Sequence, residues 1–198
     1  MDIDFPIFPL SVCILPGEKM NLHIFEPRYK QLINKSINDK INFVINFSEK
    51  NKIKPFGTSV KVDSLEKLYE NGAMDISILG LEAFEMEKIQ APSNQDLFHT
   101  ATFKAVEINY ITENIEILSN FYSLFPSSNL IKSDDNNILS QSNIYSMANF
   151  LNLSQQEKYE LLSHKNLEKK EKYFLYLLQY YSKIKKMEVE TGNKFLLN

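Results

Sequence analysis

Cys13, His23, Glu26, Arg28, His99 and His164 are the residues of this chain whose types could carry chemistry. A thiol at position 13 with His23 or His99 as base would make a nucleophile, because the thiolate is the reactive form and an imidazole can take its proton. No charged neighbour stands beside Cys13 to lower its pKa, and a lone cysteine in an apolar run reads more simply as a small, half-buried strand side chain. The three histidines are far apart in sequence, and none sits in an i, i+4 pair or beside a Cys-x-x-Cys, so no metal-ligand spacing is visible. The five glycines, Gly17, Gly57, Gly72, Gly80 and Gly192, are too dispersed to wrap a nucleotide phosphate. The residues therefore assign no catalytic group, no cofactor and no metal. Arg28, the only arginine, is the remaining candidate, since a planar guanidinium holds a carboxylate or carbonyl in a fixed geometry that lysine cannot. It either clamps a ligand together with Glu26 or orients a nearby carboxylate, Glu18 or Glu26. The second role is favoured, and as a buried pair its loss should destabilise the fold.

These residues need elements to position them. Residues 8–29 read as one unit: a strand, a turn at Pro16-Gly17, a second extended run and a helix opening at Pro27. Proline presets φ and glycine permits φ > 0, so Leu15-Pro16-Gly17-Glu18 is a turn. Pro27 suits a first helical position, with Glu26 at the helix's positive end and Tyr29, Leu32 and Ile33 at helical spacing. Up to residue 108 the period is mostly two. Ile41, Phe43, Ile45 and Phe47 share one strand face, with Asn42 and Asn46 opposite. Further strands follow at Thr58–Val62, Met74–Ile78, Phe84–Met86 and Phe98–Ile108, with Gly80 as a bend and Pro92–Asp96 as a loop. Short strands with few helices between them predict a small, strongly bent barrel.

Beyond residue 112 the period becomes helical. Ile115, Leu118, Tyr122 and Phe125 mark a helix capped by Thr112, Pro126 ends it, and Ser127–Asn137 is a polar loop. Ile144, Met147, Ala148 and Leu151 mark a short helix, and Ser154-Gln-Gln-Glu157 fits a capping box. The last helix runs from about Leu167 to Met187, with Phe174, Leu177, Leu178, Tyr181 and Ile184 inward and Glu168, Lys169, Lys172 and Lys183 outward. The cluster Tyr173, Phe174, Tyr176, Tyr180 and Tyr181 covers more than one face, as core with amphipathic edges or as a surface for partner chains. The expected organisation is a β-rich part at 1–108, a helical part at 109–188 and a flexible tail at 189–198.

Composition narrows the function. With 198 residues, 43% hydrophobic, 24% charged and net charge −3, this is an ordinary globular chain. Residues 1–108 hold 12 basic and 15 acidic groups and the rest 10 of each, without the basic excess of a nucleic-acid binder. One cysteine excludes an internal disulfide, no apolar run is long enough to span a bilayer, and Asp2 and Asp4 stand where a basic leader would lie. A cytoplasmic protein without a membrane partner is expected.

Phe8-Pro9-Leu10, Leu15-Pro16-Gly17-Glu18 and Leu22-His23-Ile24-Phe25-Glu26-Pro27-Arg28-Tyr29 together resemble the opening of the N-terminal, substrate-binding domain of Lon proteases. Pro55-Phe56-Gly57-Thr58 is similar to that family's glycine-threonine strand, and Asn71-Gly72 through Gly80 to its next hairpin. Asn143 to Met187 resembles its C-terminal helices. The chain departs from the pattern at Ala83, where the family usually has arginine before the phenylalanine. The resemblance covers roughly the first 188 residues. It implies an α+β fold, a PUA-like β-pseudobarrel followed by a C-terminal helical bundle, in a stand-alone single-domain member. Pro9, Leu15, Pro16, Gly17, Glu18, His23, Phe25, Glu26, Pro27, Arg28, Tyr29, Gly57, Thr58 and Gly80 are its family-motif positions, mainly structural. The ATPase module and the serine–lysine protease module of Lon have no counterpart in these residues.

The resemblance implies a non-catalytic protein- or peptide-binding module, an adaptor or regulator in proteolysis. Its partners would be unfolded or exposed polypeptide or a protease, and self-association is compatible with it. A barrel with an open edge can accept an extended segment by strand addition. RNA binding, by analogy with other PUA-like barrels, is the alternative and is disfavoured by the charge balance. A small hydrolase with a spatially assembled site has no local support.

Overall fold

The alternating residues build six strands, with one α-helix between the second and the third, in a computed structural model that describes residues 2–106, 111–126 and 143–191, the last three by backbone alone. β1 (Asp2–Leu10) is followed by the Pro16-Gly17 turn, β2 (Lys19–Ile24), α1 (Pro27–Asp39), β3 (Phe43–Glu49), β4 (Lys52–Leu68), β5 (Met74–Gln90) and β6 (Thr100–Ala105). β1 lies parallel to β3, and β3–β4, β4–β5, β5–β6 and β6–β1 are antiparallel, so five strands close into a ring. β2 stands outside that ring and pairs with β5 alone, from Lys19↔Leu79 to Ile24↔Met74. The fold is α+β with a C-terminal helical part, as expected. The chain divides into two compact units, Met1–Ile108 and Asn109–Asn198.

Two hydrophobic clusters take alternate residues of the same strands. Phe8, Phe43, Ile45, Ile76 and Ile78 join Tyr29, Leu32 and Ile33 of α1 in one, with Phe98. Ile7, Val44, Phe84, Ala101 and Phe103 make the other. β3 is therefore buried on both faces, and Asn46, expected on a polar face, is fully buried, donating from Nδ2 to the Lys54 carbonyl at 3.2 Å. β4 and β5 are each 17 residues long, so Thr58–Val62 belongs to one strand, and Met74–Ile78 and Phe84–Met86 to another. Bulges let such long strands bend without breaking, and β4 and β5 slip register between Thr58 and Val60, Val62 and Ser64, and Leu65 and Lys67. Ser11–Leu15 is not a strand, so Cys13 sits in a connection and is buried. The last two residues of the expected strand 98–108 lie outside the described residues.

The helical unit contains α2 (Ile115–Leu124), α3 (Ile144–Ala148), α4 (Gln155–Ser163) and α5 (Leu167–Thr191) among the described residues. α2 is capped by Asn114, not Thr112, and buries Ile117, Phe121 and Leu124 while Ile115 is exposed. Apolar residues surround this segment, so spacing alone could not select the face. Thr112 is buried and bonds through its hydroxyl to Glu171 and the Asn114 amide. The capping box forms as expected, Ser154 N–H donating to Glu157 Oε2 at 2.8 Å and Glu157 N–H to Ser154 Oγ at 3.3 Å. α5 extends to Thr191, beyond the expected end at Met187. Its Phe174 and Tyr181 are buried, whereas Tyr176 and Tyr180 are exposed and stacked at 6.4 Å. The expected loop at 127–137 and residues 192–198 of the expected tail lie outside the described residues. No described helix is long and apolar enough to cross a membrane.

Candidate functional site

The Pro16-Gly17 turn is held by its own motif residues. Glu18 N–H donates to the Leu15 carbonyl at 3.1 Å, and Gly17 has φ of 80°, which a side-chain-bearing residue adopts only with strain. Glu18 Oε2 accepts the Leu15 N–H at 2.9 Å. The turn is sewn onto β5 by Gly17 N–H to Gly80 O and Gly80 N–H to Glu18 O, both 2.9 Å, and onto β4 by Thr58 Oγ1 to Ile14 O at 2.6 Å. A Cβ on Gly80 would collide with the Leu15 carbonyl oxygen, so glycine there lets the turn approach the strand. Gly57 packs equally close to β3, where a Cβ would lie 2.6 Å from the Ile45 carbonyl oxygen. Leu15, Pro16, Gly17, Glu18, Thr58 and Gly80 thus converge in holding the turn against β4 and β5. Ala83, at the departure from the family pattern, is fully buried in β5.

Pro9, Arg28 and Tyr29 converge elsewhere. With Ile7, Ile53, Ile89, Phe98 and His99 they line an apolar slot of about 210 Å³. Tyr29 stacks on Phe8 at 3.9 Å, and burial raises its pKa. The opposite wall is brought in by α1. Gln31 Nε2 donates to Gln95 O at 2.8 Å, Gln31 Oε1 accepts from Leu97 N–H at 2.7 Å, and Lys35 pairs with Asp96 at 2.5 Å. The hydrogen bond from Lys35 holds the Asp96 carboxyl below the usual carboxylate range. One helix face therefore tethers the loop that carries Phe98 and His99.

Arg28 stands at this slot, its guanidinium 4.5 Å from the centre of the Tyr29 ring. Its carboxylate partner is Glu26, through Nε at 3.0 Å and Nη2 at 2.8 Å, while Glu18 serves the turn. The pair is not buried: the two side chains are 46% and 41% exposed. The expected large cost of breaking it is therefore corrected, because water solvates both charges and an exposed pair contributes at most about 1 kcal/mol.

His23 and Phe25 lie in a separate cluster at the end of β2. His23 Nδ1 is 2.6 Å from Asp75 Oδ1, Tyr69 Oη donates to Asp75 Oδ2 at 2.7 Å, and the Lys67 ammonium sits 4.5 Å over the Tyr69 ring. His23 and Tyr69 lower the Asp75 pKa, because both hydrogen-bond its charged form. Phe25, stacked on His23 with ring centres 5.9 Å apart, is 63% exposed. His23, one of the two imidazoles weighed against the favoured reading of Cys13 as an inert strand thiol, is thus engaged with a carboxylate. Among the described residues no group of three His, Cys, Asp or Glu side chains could hold a metal ion.

Ile53, Ile89 and Phe98 escaped sequence reasoning as slot residues because they come from two strands and a loop that only folding brings together. Lys170 escaped it too, although it precedes Phe174 by four residues and Leu177 by seven, on the buried stripe of α5. It is buried, donates to Tyr145 Oη and to Leu161 O at 3.1 Å, and its pKa is pushed down to about 7 by burial.

A search of curated proteins finds no match. Solved structures share the fold. One is the Lon N-terminal domain protein from Xanthomonas campestris, 16% identical with TM-score 0.62 over 83% of this chain and 92% of that one. Another is the N-terminal domain of Mycobacterium avium complex Lon protease, 11% identical with TM-score 0.65 over 89% and 98%. The family model for the ATP-dependent protease La (LON) substrate-binding domain matches residues 4–180, nearly the whole chain, which therefore belongs to that family.

Proposed function

We propose that the chain is a non-catalytic polypeptide-binding module that serves as an adaptor or regulator in proteolysis, and that the slot beside Arg28 is where it holds its ligand. The observation that carries this reading is an apolar, side-chain-sized slot of about 210 Å³ with a guanidinium beside it. Buried apolar area provides affinity, and a few placed polar groups orient the ligand. Here one large apolar side chain of an exposed segment enters between Ile53, Ile89 and Phe98. Arg28, engaged by Glu26 along its Nε and Nη2 edge, has further N–H donors for a peptide carbonyl or a chain-terminal carboxylate. The Lon family's substrate-binding role supports a polypeptide ligand.

The test is fluorescence anisotropy with a labelled, reduced and carboxymethylated lactalbumin, which stays unfolded. Ile89→Glu changes a 40% exposed side chain at the slot and puts a charge there. Its affinity is expected to fall by about tenfold or more at an unchanged melting temperature. Equal binding by both proteins overturns the slot.

A further inference from the structure

We propose that the outer edge of β2, Lys19–Ile24, is a strand-addition site for an extended polypeptide segment of alternating apolar and polar residues. The proposal deepens the polypeptide-binding reading by naming where and how the ligand's backbone is held.

β2 is the end strand of the sheet, and its outer edge has no strand partner among the described residues. An unpaired edge presents a row of N–H and C=O groups, and only another extended backbone matches that row. Another open stretch, β4 from Lys61 to Leu68, is broken by the register slips after Val62 and Leu65. Bulges of this kind twist an edge out of reach of a partner. β2 has no slip: its six residues pair with β5 in continuous register.

Its charged side chains do not guard the edge either. Lys19 reaches back across β5 to Asp63 at 2.7 Å, and His23 pairs with Asp75 on β5 at 2.6 Å. Both lean over the sheet instead of past it. The strand also dictates what an added segment needs. Met20 and Leu22 are half-buried against the core and Ile24 is buried, so apolar ligand residues extend that row. Lys19, Asn21 and His23 are exposed, so polar ligand residues lie beside them. Phe25, just past the strand, is 63% exposed and stacks on His23.

A second copy of β2 fits less well. Opposed residues in an antiparallel ladder share a face. Pairing all six residues end to end would set Lys19, from the polar row, against Ile24, from the apolar row. Keeping the faces matched shortens the ladder to five residues.

The probe is a blocked heptapeptide of alternating valine and threonine with a lysine at each end, added to the full ¹⁵N-labelled chain. Two N-methylated isomers, modified on opposite backbone edges, serve as controls that leave the protein unchanged. The unmodified peptide is expected to slow amide exchange within Lys19–Ile24 by about tenfold or more, and one isomer alone should lose that effect. Equal behaviour of the two isomers overturns the site, as does binding without slower exchange in β2. Slowing that needs no peptide and grows with protein concentration overturns it in favour of a second copy. If β2 fails while Ile89→Glu still weakens lactalbumin binding, the slot stands and the strand-addition mode does not. No binding of either probe removes both.

Discussion

Gly80 and Arg28 are both family-motif residues, yet they differ sharply in how tightly the surrounding atoms constrain them. Gly80 faces the Leu15 carbonyl so closely that a methyl group has no space, and the atoms it would displace are backbone. Gly80→Ala must lift the turn off β5 and strain its two 2.9 Å hydrogen bonds. A loss of about 2 kcal/mol or more is expected in denaturant titration, on the scale of overpacking. Arg28→Ala removes a pair that water already reaches. It should cost at most about 1 kcal/mol while weakening ligand binding. If Arg28→Ala were the more damaging of the two to stability, the exposure of its pair with Glu26 would be wrong.

At the scale of elements, α5 carries a lysine where its spacing calls for an apolar side chain. Lys170 lies against Tyr145 of α3, with its ammonium 4.5 Å from that ring's centre, and bonds to the Leu161 carbonyl of α4. Burial lowers its pKa to about 7 from the 10.5 of an exposed lysine. Between those values the unfolded chain binds the proton and the folded chain does not, so stability rises with pH across that window. Below about pH 7 both states are protonated, and the full burial penalty persists. Lys170→Met should therefore be more stable than the parent at pH 6, with a gap that narrows by pH 10. Denaturant midpoints at the two pH values measure it, and a gap independent of pH would contradict the burial of the charged form.

At the scale of the whole molecule, the barrel contains everything its own closure needs. Its ring of pairings runs from Asp2 to Ala105, and among the described residues no member of these two hydrophobic clusters lies beyond Phe103. Residues 1–108 expressed alone should therefore melt cooperatively and keep the slot, since all eight slot residues lie within them. A broad, non-cooperative melt of that fragment would mean the helical unit is required for the barrel to fold. The binding surfaces proposed here, the slot and the β2 edge, both belong to this unit.

The amino-acid order determined the features that rest on local physics. The Pro16-Gly17 turn, the helix start at Pro27, the capping box at Ser154 and the change from strand to helical period each depend on a few neighbouring residues, and each is legible without coordinates. The α5 stripe of Phe174, Leu177 and Leu178 follows from spacing in the same way. Tertiary structure decided what needs distant segments to meet. The closure of the ring, the burial of Asn46 and Lys170, the choice of Glu26 over Glu18 for Arg28 and the face of α2 all depend on what packs opposite. So does the slot, whose walls come from β1, α1, β4, β5 and a tethered loop. Spacing records which side chains share a face, but burial and partner choice depend on the atoms across from that face, which the sequence places far along the chain.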